Sequence, residues 1–186
     1  RLMKGGIADG VFPGAVLLVA EGETIRFHQA YGITDTCNTY PVTRDTLFDL
    51  ASLTKPLATT VAVMKLVEQG KLQLERTLGT VLPAFAATDK SGISIRSLLD
   101  HTAGLPDWRP YYKVLSQRPP EERKSFLLDL LVKEPVVHPV GEKTVYSDLG
   151  FMILSRVVET IVGEGLDRFV KREVYRPLAL DRLCFP

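Results

Sequence analysis

The feature that most constrains the fold is the stretch of residues 48–70, FDLASLTKPLATTVAVMKLVEQG, the longest uninterrupted helical pattern in the chain. Its apolar residues lie on nearly every side of a helix, which is typical of a central, buried helix rather than a surface one. Charged residues interrupt the stretch and exclude a membrane span. Pro56 fits only in the first turn of a helix, and Gly70 is a good stop signal. The sequence therefore predicts a buried helix that begins close to Ser52.

The start of this predicted helix carries a serine and a lysine that could act together. Ser52 would lie where backbone N–H groups and the helix dipole favour negative charge, and Lys55 would lie one turn on, on the same face. A hydroxyl beside an amine at a buried helix start is what a serine–lysine nucleophile pair requires. A chain of this length contains about one Ser-x-x-Lys by chance, so an ordinary N-cap serine with a surface lysine is the alternative.

Composition limits the class of protein and of partner. The chain has 186 residues, of which 45% are hydrophobic and 24% charged, enough for one globular domain with a sizeable core. A net charge of +1 gives no electrostatic reason to expect nucleic acid or an anionic membrane as a partner. Cys37 and Cys184 form no disulfide framework, and two free thiols are favoured over one disulfide.

The N-terminal part of the chain predicts a helix tail followed by a β-hairpin. Residues 1–10 have one apolar side and are followed by the helix breaker Phe-Pro-Gly. Residues 15–20, AVLLVA, form a continuous apolar run that favours a strand covered on both faces. A Glu-Gly turn leads to residues 24–31, whose alternation is typical of a second strand. His28 falls on the opposite face of that strand from its apolar residues and is interpreted as a surface residue, not a metal ligand.

The rest of the chain predicts a loop followed by several helices. The loop covers residues 32–46, which are rich in Thr, Asp, Asn and Pro. Later helices are predicted from their caps and apolar spacing: residues 94–101 with Ser94 as the cap, 119–133, 151–162 with Gly163 as the stop, and 166–174.

Two features of the region after residue 100 allow a functional or a structural interpretation. His101 has the chemistry of a general base, but its position at a helix end favours a structural hydrogen bond. Trp108, Tyr111 and Tyr112 cluster in a loop between prolines, which is as typical of a binding loop as of an anchored one.

The second notable stretch is Tyr146-Ser147-Asp148, at the start of a predicted helix. Ser147 or Asp148 caps that helix, so Tyr146 stands just before a helix N-terminus. A tyrosine at this place is either an exposed phenol or one held for chemistry. The sequence contains no Gly-x-Ser-x-Gly, Walker, His-Glu-x-x-His or Cys-x-x-Cys pattern, so none of these catalytic or metal-binding motifs competes with the serine–lysine pair.

Four stretches together resemble the serine β-lactamase and penicillin-binding-protein superfamily, in particular the class C β-lactamase-like branch with its carboxylesterases. They are FDLASLTKP, IRSLLDHTAGLP, PVGEKTVYSDLGFMIL and VYRPLALDRLCF, in the order seen in that family. The resemblance implies that Ser52 is the acylated nucleophile, that Lys55 is its partner and that Tyr146 passes a proton between Ser52 and the leaving group. It also implies hydrolysis of an amide or ester through an acyl-enzyme, without a metal or organic cofactor.

The resemblance further implies an α/β (α+β) fold of the β-lactamase/transpeptidase type, which combines an antiparallel sheet with an all-helical lobe. Residues 1–50 would form the helix tail and hairpin, residues 51–174 the helical lobe, and residues 175–186 the start of the return to the sheet. The family's third motif, Lys or His, Thr or Ser, then Gly on a late strand, is expected to be missing. The chain is therefore expected to match about the N-terminal half of the module and to lack the C-terminal strands.

This expectation bears on partners and on the compartment. Activity would need the C-terminal half, from the same protein or from a companion chain, and this chain alone could be inactive. The sequence carries no signal-peptide pattern, and the compartment, bacterial periplasm or cytoplasm, stays open.

The second motif departs from the usual Tyr-x-Asn of class C enzymes. An ionised Asp148 only accepts hydrogen bonds, whereas an asparagine both donates and accepts. A carboxylate near Lys55 would favour the ammonium form of the lysine and would leave the role of base to Tyr146. The alternative is that Asp148 points away from Lys55 and only caps its helix.

Three functions remain compatible with these residues. The first is hydrolysis of a β-lactam or a D-Ala-D-Ala peptide, and the second is hydrolysis of a small ester on the same fold, which Asp148 favours over a dedicated β-lactamase. The third is a non-catalytic relative that binds peptidoglycan or a protein partner, against which the presence of Ser52, Lys55 and Tyr146 argues. The expected partner is thus a small-molecule substrate, with no nucleic acid and no membrane span.

Overall fold

The computed structural model describes residues 1–37 and 39–185, so Asn38, which belongs to the predicted loop, and Pro186 lie outside the described residues. The chain divides into two units, Arg1–Asp49 and Leu50–Pro186. Among the described residues the sheet belongs to the first unit, and the second unit is helical.

The first unit confirms the predicted helix tail and hairpin. Its elements are α1 at Leu2–Ala8, β1 at Gly14–Glu21 and β2 at Thr24–Gly32. The strands pair antiparallel, with a register shift between Val19 and Ala20, and Gly22 turns the chain between them with a φ of 57°. Gly32 has a φ of 72°, and a Cβ there would lie 2.2 Å from the carbonyl oxygen of Pro13, so only glycine fits.

The prediction that β1 is covered on both faces is wrong. Leu18 and Val19 point to opposite faces of the hairpin, yet 49% and 47% of their surfaces are exposed. A continuous apolar run makes a strand suitable for burial on both faces. The strand is buried, however, only where other elements pack against those faces. His28 is half-buried, not a surface residue, and within the described residues no group of His, Cys, Asp or Glu has the arrangement of a metal site.

The second unit contains seven α-helices and four other helical turns among its described residues. The α-helices are α2 Val61–Glu68, α3 Leu78–Val81, α4 Ile95–Leu99, α5 Tyr111–Leu115, α6 Pro120–Lys133, α7 Asp148–Val162 and α8 Leu166–Val170. The other turns are 3₁₀-helical at Ala51–Leu53 and Pro83–Phe85, and π-helical at Lys55–Thr60 and Lys171–Tyr175.

The core of this unit is built around α7. This helix packs against α2, α3, α4, α6 and α8 and against the π-helical turn Lys55–Thr60. Its buried residues are Leu149, Gly150, Phe151, Ile153, Leu154, Val157 and Val158. α7 therefore fixes the position of Tyr146, which lies two residues before the start of the helix, relative to the 51–68 helical segment.

The prediction for residues 48–70 is confirmed in its bounds but wrong about its burial. The helical segment begins at Ala51 and ends at Glu68, followed by Gly70 with a φ of 67°. One face is buried, through residues such as Ala62 and Leu66. The opposite side is open, since 56% of Leu53, 40% of Leu57 and 63% of Met64 are exposed. Apolar residues on every side of a helix do not show which side is covered by neighbouring elements.

The predicted caps are confirmed. The Ser94 hydroxyl accepts the N–H of Ser97 at 3.1 Å and caps α4, and Gly163 ends α7 with a left-handed φ of 72°. Cys37 and Cys184 are both free and exposed. Across the two described ranges, none of the helices is long and apolar enough to cross a membrane.

Candidate active site

Ser52 lies at the start of the 51–68 helical segment, in the turn Ala51–Leu53. The residue before it, Ala51, has a φ of 43°, a conformation that costs about 1–3 kcal/mol for a residue with a side chain. Pro56 lies at the start of the following π-helical turn, where its missing N–H breaks no helical bond. This local geometry places Lys55 beside Ser52, and Lys55 Nζ donates to Ser52 Oγ at 3.2 Å.

Asp148 lies on the other side of the same ammonium group. Lys55 Nζ donates to Asp148 Oδ1 at 2.6 Å, across a sequence separation of 93 residues. The lysine side chain is 14% exposed and the aspartate side chain 31% exposed. Ser147, not Asp148, caps α7, since its hydroxyl accepts the N–H of Gly150 at 3.4 Å. Of the two alternatives for Asp148, the structure therefore supports the pairing with Lys55.

Tyr146 stands directly before the cap of α7, with 52% of its surface exposed. Its ring lies beside the Lys55 ammonium, with Nζ 4.8 Å from the ring centroid. A cation at this distance from an aromatic face is attracted to it. The three residues predicted from the two motifs, Ser52, Lys55 and Tyr146, thus come together around one ammonium group.

The electrostatics favour a protonated lysine and an ionisable tyrosine. Partial burial by itself lowers the pKa of Lys55, but hydrogen bonds and charges from Asp148 and Tyr146 outweigh it and leave the pKa above its ordinary value. The pKa of Tyr146 is lowered, chiefly by its interaction with Lys55 and then with Ser52. The tyrosine therefore gives up its proton more readily than an isolated phenol, and the lysine holds its own more firmly.

A cavity of about 510 Å³ opens beside this cluster. Ser52, Lys55 and Asp148 line one part of it, and Phe151 and Met152 of α7 give it apolar walls. This volume falls within the range of small-molecule sites, and the lining combines apolar walls with a few polar groups as such sites do.

His101 lies next to this cluster. From the sequence, a structural hydrogen bond was favoured for it over the role of a general base. Its Nδ1 accepts the backbone N–H of Ser147 at 3.0 Å, so that bond is confirmed. The structure also brings its ring to Tyr146, with centroids 4.6 Å apart. The two residues belong to separate stretches, and no pattern in the sequence indicated this contact.

The aromatic loop combines both predicted characters. Tyr111 is anchored, since its hydroxyl donates to Glu134 at 2.6 Å. Burial, and then this hydrogen bond, raise the pKa of Tyr111. Trp108 and Tyr112 remain 50% and 61% exposed, with ring centroids 6.5 Å apart.

Lys90-Ser91-Gly92 has the letters of the third family motif, and the expectation that the motif is missing overlooked it. Lys90 is buried, with 1% of its surface exposed. Its Nζ donates to Asp89 Oδ1 at 2.7 Å and to the carbonyl oxygen of Glu134 at 2.5 Å. The three residues lie on no strand and line no part of the Ser52 cavity, so they do not serve this site.

Comparison with known proteins places this geometry in a family. A model of the Beta-lactamase family matches residues 1–185. An N-acetylmuramyl-L-alanine amidase of Bacillus subtilis strain 168 is 35% identical over 204 residues, which cover 100% of this chain and 45% of that protein. An Escherichia coli O157:H7 protein provisionally named a D-alanyl-D-alanine carboxypeptidase is 32% identical over 192 residues, or 95% of this chain and 44% of that protein.

The solved structures include that of EstCE1, described as a hydrolase with promiscuous acyltransferase activity. It matches with a TM-score of 0.79 and 31% identity, over 96% of this chain and 50% of that one. The chain spans about half the length of these relatives.

Proposed function

Because this chain belongs to the β-lactamase family, we propose that it supplies the nucleophile of a serine hydrolase that works through an acyl-enzyme. The observation that carries the proposal is the position of Lys55, whose ammonium donates to Ser52 Oγ and to Asp148 and lies beside the Tyr146 phenol. Since the chain spans about half the length of its relatives, the activity is proposed for the whole protein.

In this mechanism Tyr146 is the general base and Lys55 is a fixed cation. Asp148 and Tyr146 hold Lys55 in its ammonium form, so the lysine has no lone pair with which to take a proton at neutral pH. Tyr146, with its lowered pKa, takes the proton from Ser52 Oγ as this oxygen attacks the substrate carbonyl. Tyr146 takes this proton as a phenolate, which the ammonium of Lys55 stabilises before the transfer, and the transfer leaves a neutral phenol.

The same groups serve the later steps. Charge that develops on the substrate oxygen is stabilised by the backbone N–H of Ser52, which forms one half of an oxyanion hole. Tyr146 then returns its proton to the leaving group, and the acyl group stays on Ser52. In deacylation a water molecule takes the place of the leaving group, and Tyr146 again removes and returns the proton.

For the substrate class we propose a small acyl ester. The carboxylate of Asp148 is engaged by Lys55 and offers no N–H, so it cannot donate to an amide carbonyl as an asparagine would. The structural relative EstCE1 is named a hydrolase with promiscuous acyltransferase activity, which agrees with acyl transfer from esters. Other relatives are named as an amidase and a carboxypeptidase, so amide and peptide substrates are tested as well.

Intact-mass analysis after incubation with a fluorophosphonate probe tests the nucleophile. We expect one adduct, lost in Ser52→Ala. Ser155→Ala is the matched control, because Ser155 lines the same cavity and is expected to leave the adduct in place. The chain and the whole protein are both treated, and absence of an adduct from both refutes a nucleophilic role.

The substrate class is tested by turnover on the whole protein. We expect p-nitrophenyl butyrate to be hydrolysed with a much higher kcat/KM than the β-lactam nitrocefin. The reverse preference contradicts the ester proposal but leaves the nucleophile in place. A protein that forms the probe adduct but turns over neither compound would redirect the search to D-Ala-D-Ala peptides.

A further inference from the structure

His101 is bonded to the backbone on both sides of Tyr146. Its carbonyl oxygen accepts the N–H of Val145 at 2.9 Å. Its ring Nδ1 accepts the N–H of Ser147 at 3.0 Å. One residue therefore holds the residues before and after the tyrosine, which limits where the phenol can point.

The ring of His101 also packs against the side chains that surround Lys55. Its centroid lies 4.6 Å from that of Tyr146 and 5.2 Å from that of Phe151. The backbone of His101 has a φ of 62°, which is unusual for a residue other than glycine. Such a conformation persists where surrounding contacts hold it, and it is found most often at functional sites.

We propose that His101 is a positioning residue that holds Tyr146 in place by accepting the Ser147 N–H, and that it does so only while its imidazole is neutral. The inference rests on the function proposed above, in which Tyr146 is the general base. Throughout, "clamp" denotes the pair of hydrogen bonds from Val145 and Ser147 to His101.

The chemistry of imidazole makes the clamp sensitive to pH. Neutral histidine with its proton on Nε2 accepts at Nδ1, whereas the imidazolium carries a proton on both nitrogens and accepts at neither. Protonation would bring the Nδ1 proton against the N–H of Ser147. The bond would then break, and Tyr146 would lose one of its two anchors.

The surroundings of His101 keep the clamp closed at neutral pH. Burial, and then the charge of Lys55, lower the pKa of His101 below 6.5, while Asp100 and Asp148 act in the opposite direction. Besides these charged groups, the titratable phenol of Tyr146 faces the ring. Because the pKa is lowered in the folded state, the Ser147 bond of the clamp is intact above that pKa and is lost as the pH falls through it.

Two substitutions separate the hydrogen-bond acceptor from the titration. In His101→Asn, the amide oxygen stands two bonds from Cβ like Nδ1, still accepts the Ser147 N–H, does not titrate, and tolerates a positive φ. In His101→Gly, the backbone conformation is retained at no strain, but the acceptor is lost. Thermal unfolding of both variants checks that they fold.

The first readout follows the clamp without any reaction at Ser52. In NMR spectra of the unsubstituted chain (the parent), the chemical shift of the Ser147 backbone amide should change with pH at the same midpoint as the His101 ring signals. The same amide should show no such step in His101→Asn. A Ser147 amide that does not follow His101 in the parent overturns the clamp, whatever the activity of the protein.

The second readout is the rate at which the fluorophosphonate probe labels Ser52, measured on the whole protein against pH. The parent should lose rate as the pH falls through the His101 pKa, and His101→Asn should keep its rate at that pH. His101→Gly should label roughly ten- to a hundredfold more slowly at neutral pH, because the base is misplaced.

Two results overturn the positioning role. One is a His101→Asn protein whose labelling rate falls at acidic pH as that of the unsubstituted protein does. The other is a His101→Gly protein that is labelled as fast as the unsubstituted protein at neutral pH. If Ser52 is not labelled in any of the proteins, the hydrolase proposal fails, and the NMR titration still decides whether the clamp exists.

Discussion

Replacement of Asp148 by asparagine tests the electrostatic basis of the proposed mechanism. In Asp148→Asn the side chain keeps its shape and an oxygen that accepts from Lys55, but it loses its negative charge. The substitution also gives the second motif the Tyr-x-Asn pattern that is usual in class C enzymes. Its effect therefore isolates the charge of the 2.6 Å contact between Asp148 and Lys55.

The magnitude follows from the geometry of this pair. A hydrogen bond to a charged group contributes about 1.5–3 kcal/mol, roughly twice as much as one between neutral groups. The side chains of Lys55 and Asp148 are 14% and 31% exposed, so solvent screening weakens the interaction without cancelling it. We expect the substitution to remove about 1–2 kcal/mol of preference for the ammonium form, a factor of roughly 5–30 in the ratio of ammonium to amine.

Three titrating groups then respond in the same direction. Lys55 loses a partner that raises its pKa. Tyr146 and His101 each lose a nearby negative charge that raises theirs. All three pKa values should fall, so the whole pH profile of Ser52 reactivity should move to lower pH.

The assay is the rate of Ser52 labelling by a fluorophosphonate probe, followed by intact mass from acidic to alkaline pH. Asp129→Asn is the matched control, since Asp129 is an exposed acid on α6 that lines no part of the cavity. The control should keep the parental profile. An Asp148→Asn profile that is unchanged, or that moves to higher pH, refutes the view that the Asp148 charge sets the protonation of this site.

Three further substitutions test two left-handed glycines and one helix cap. Gly104→Ala should cost about 2 kcal/mol or more in urea unfolding, because its φ is 71° and a Cβ would lie 2.1 Å from the carbonyl oxygen of His138. Gly163→Ala, with a φ of 72° but no atom within 4 Å of the added Cβ, should cost only about 1 kcal/mol; equal losses would show that crowding at position 104 is unimportant. Ser94→Ala should destabilise the chain by about 0.5–2 kcal/mol, because the N–H of Ser97 loses its cap, and an unchanged unfolding midpoint would contradict this.

The local features of this chain could be predicted because their causes are local. Pro56 and Gly70 limit where the 51–68 helical segment can begin and end, and this is enough to place Ser52 near its start. Ser94 caps α4 through a bond to a residue three positions on. Burial could not be predicted in this way, since Leu57 and Met64 have the same apolar character as the buried residues of the segment and differ only in what lies beside them.

The contacts within the candidate site depend on the packing of distant segments. Whether Asp148 faces Lys55 or only caps α7 was open in the sequence, because either role suits an aspartate at a helix start. Ser147 decides between the two roles, because its hydroxyl caps α7 and also donates to the carbonyl oxygen of Pro106 at 2.5 Å. With the cap filled, the Asp148 side chain can pair with Lys55.

The loop after α4 holds the start of α7 at several points. The backbone N–H of Asp148 donates to the carbonyl oxygen of Asp107 at 2.8 Å, and the Ser147 hydroxyl reaches the preceding residue of the same loop. His101 takes the N–H groups on both sides of Tyr146. The HTAGLP and YSD stretches therefore act as one structural unit, and a substitution in the first should alter the reactivity of Ser52 through the position of Tyr146, without any contact with a substrate.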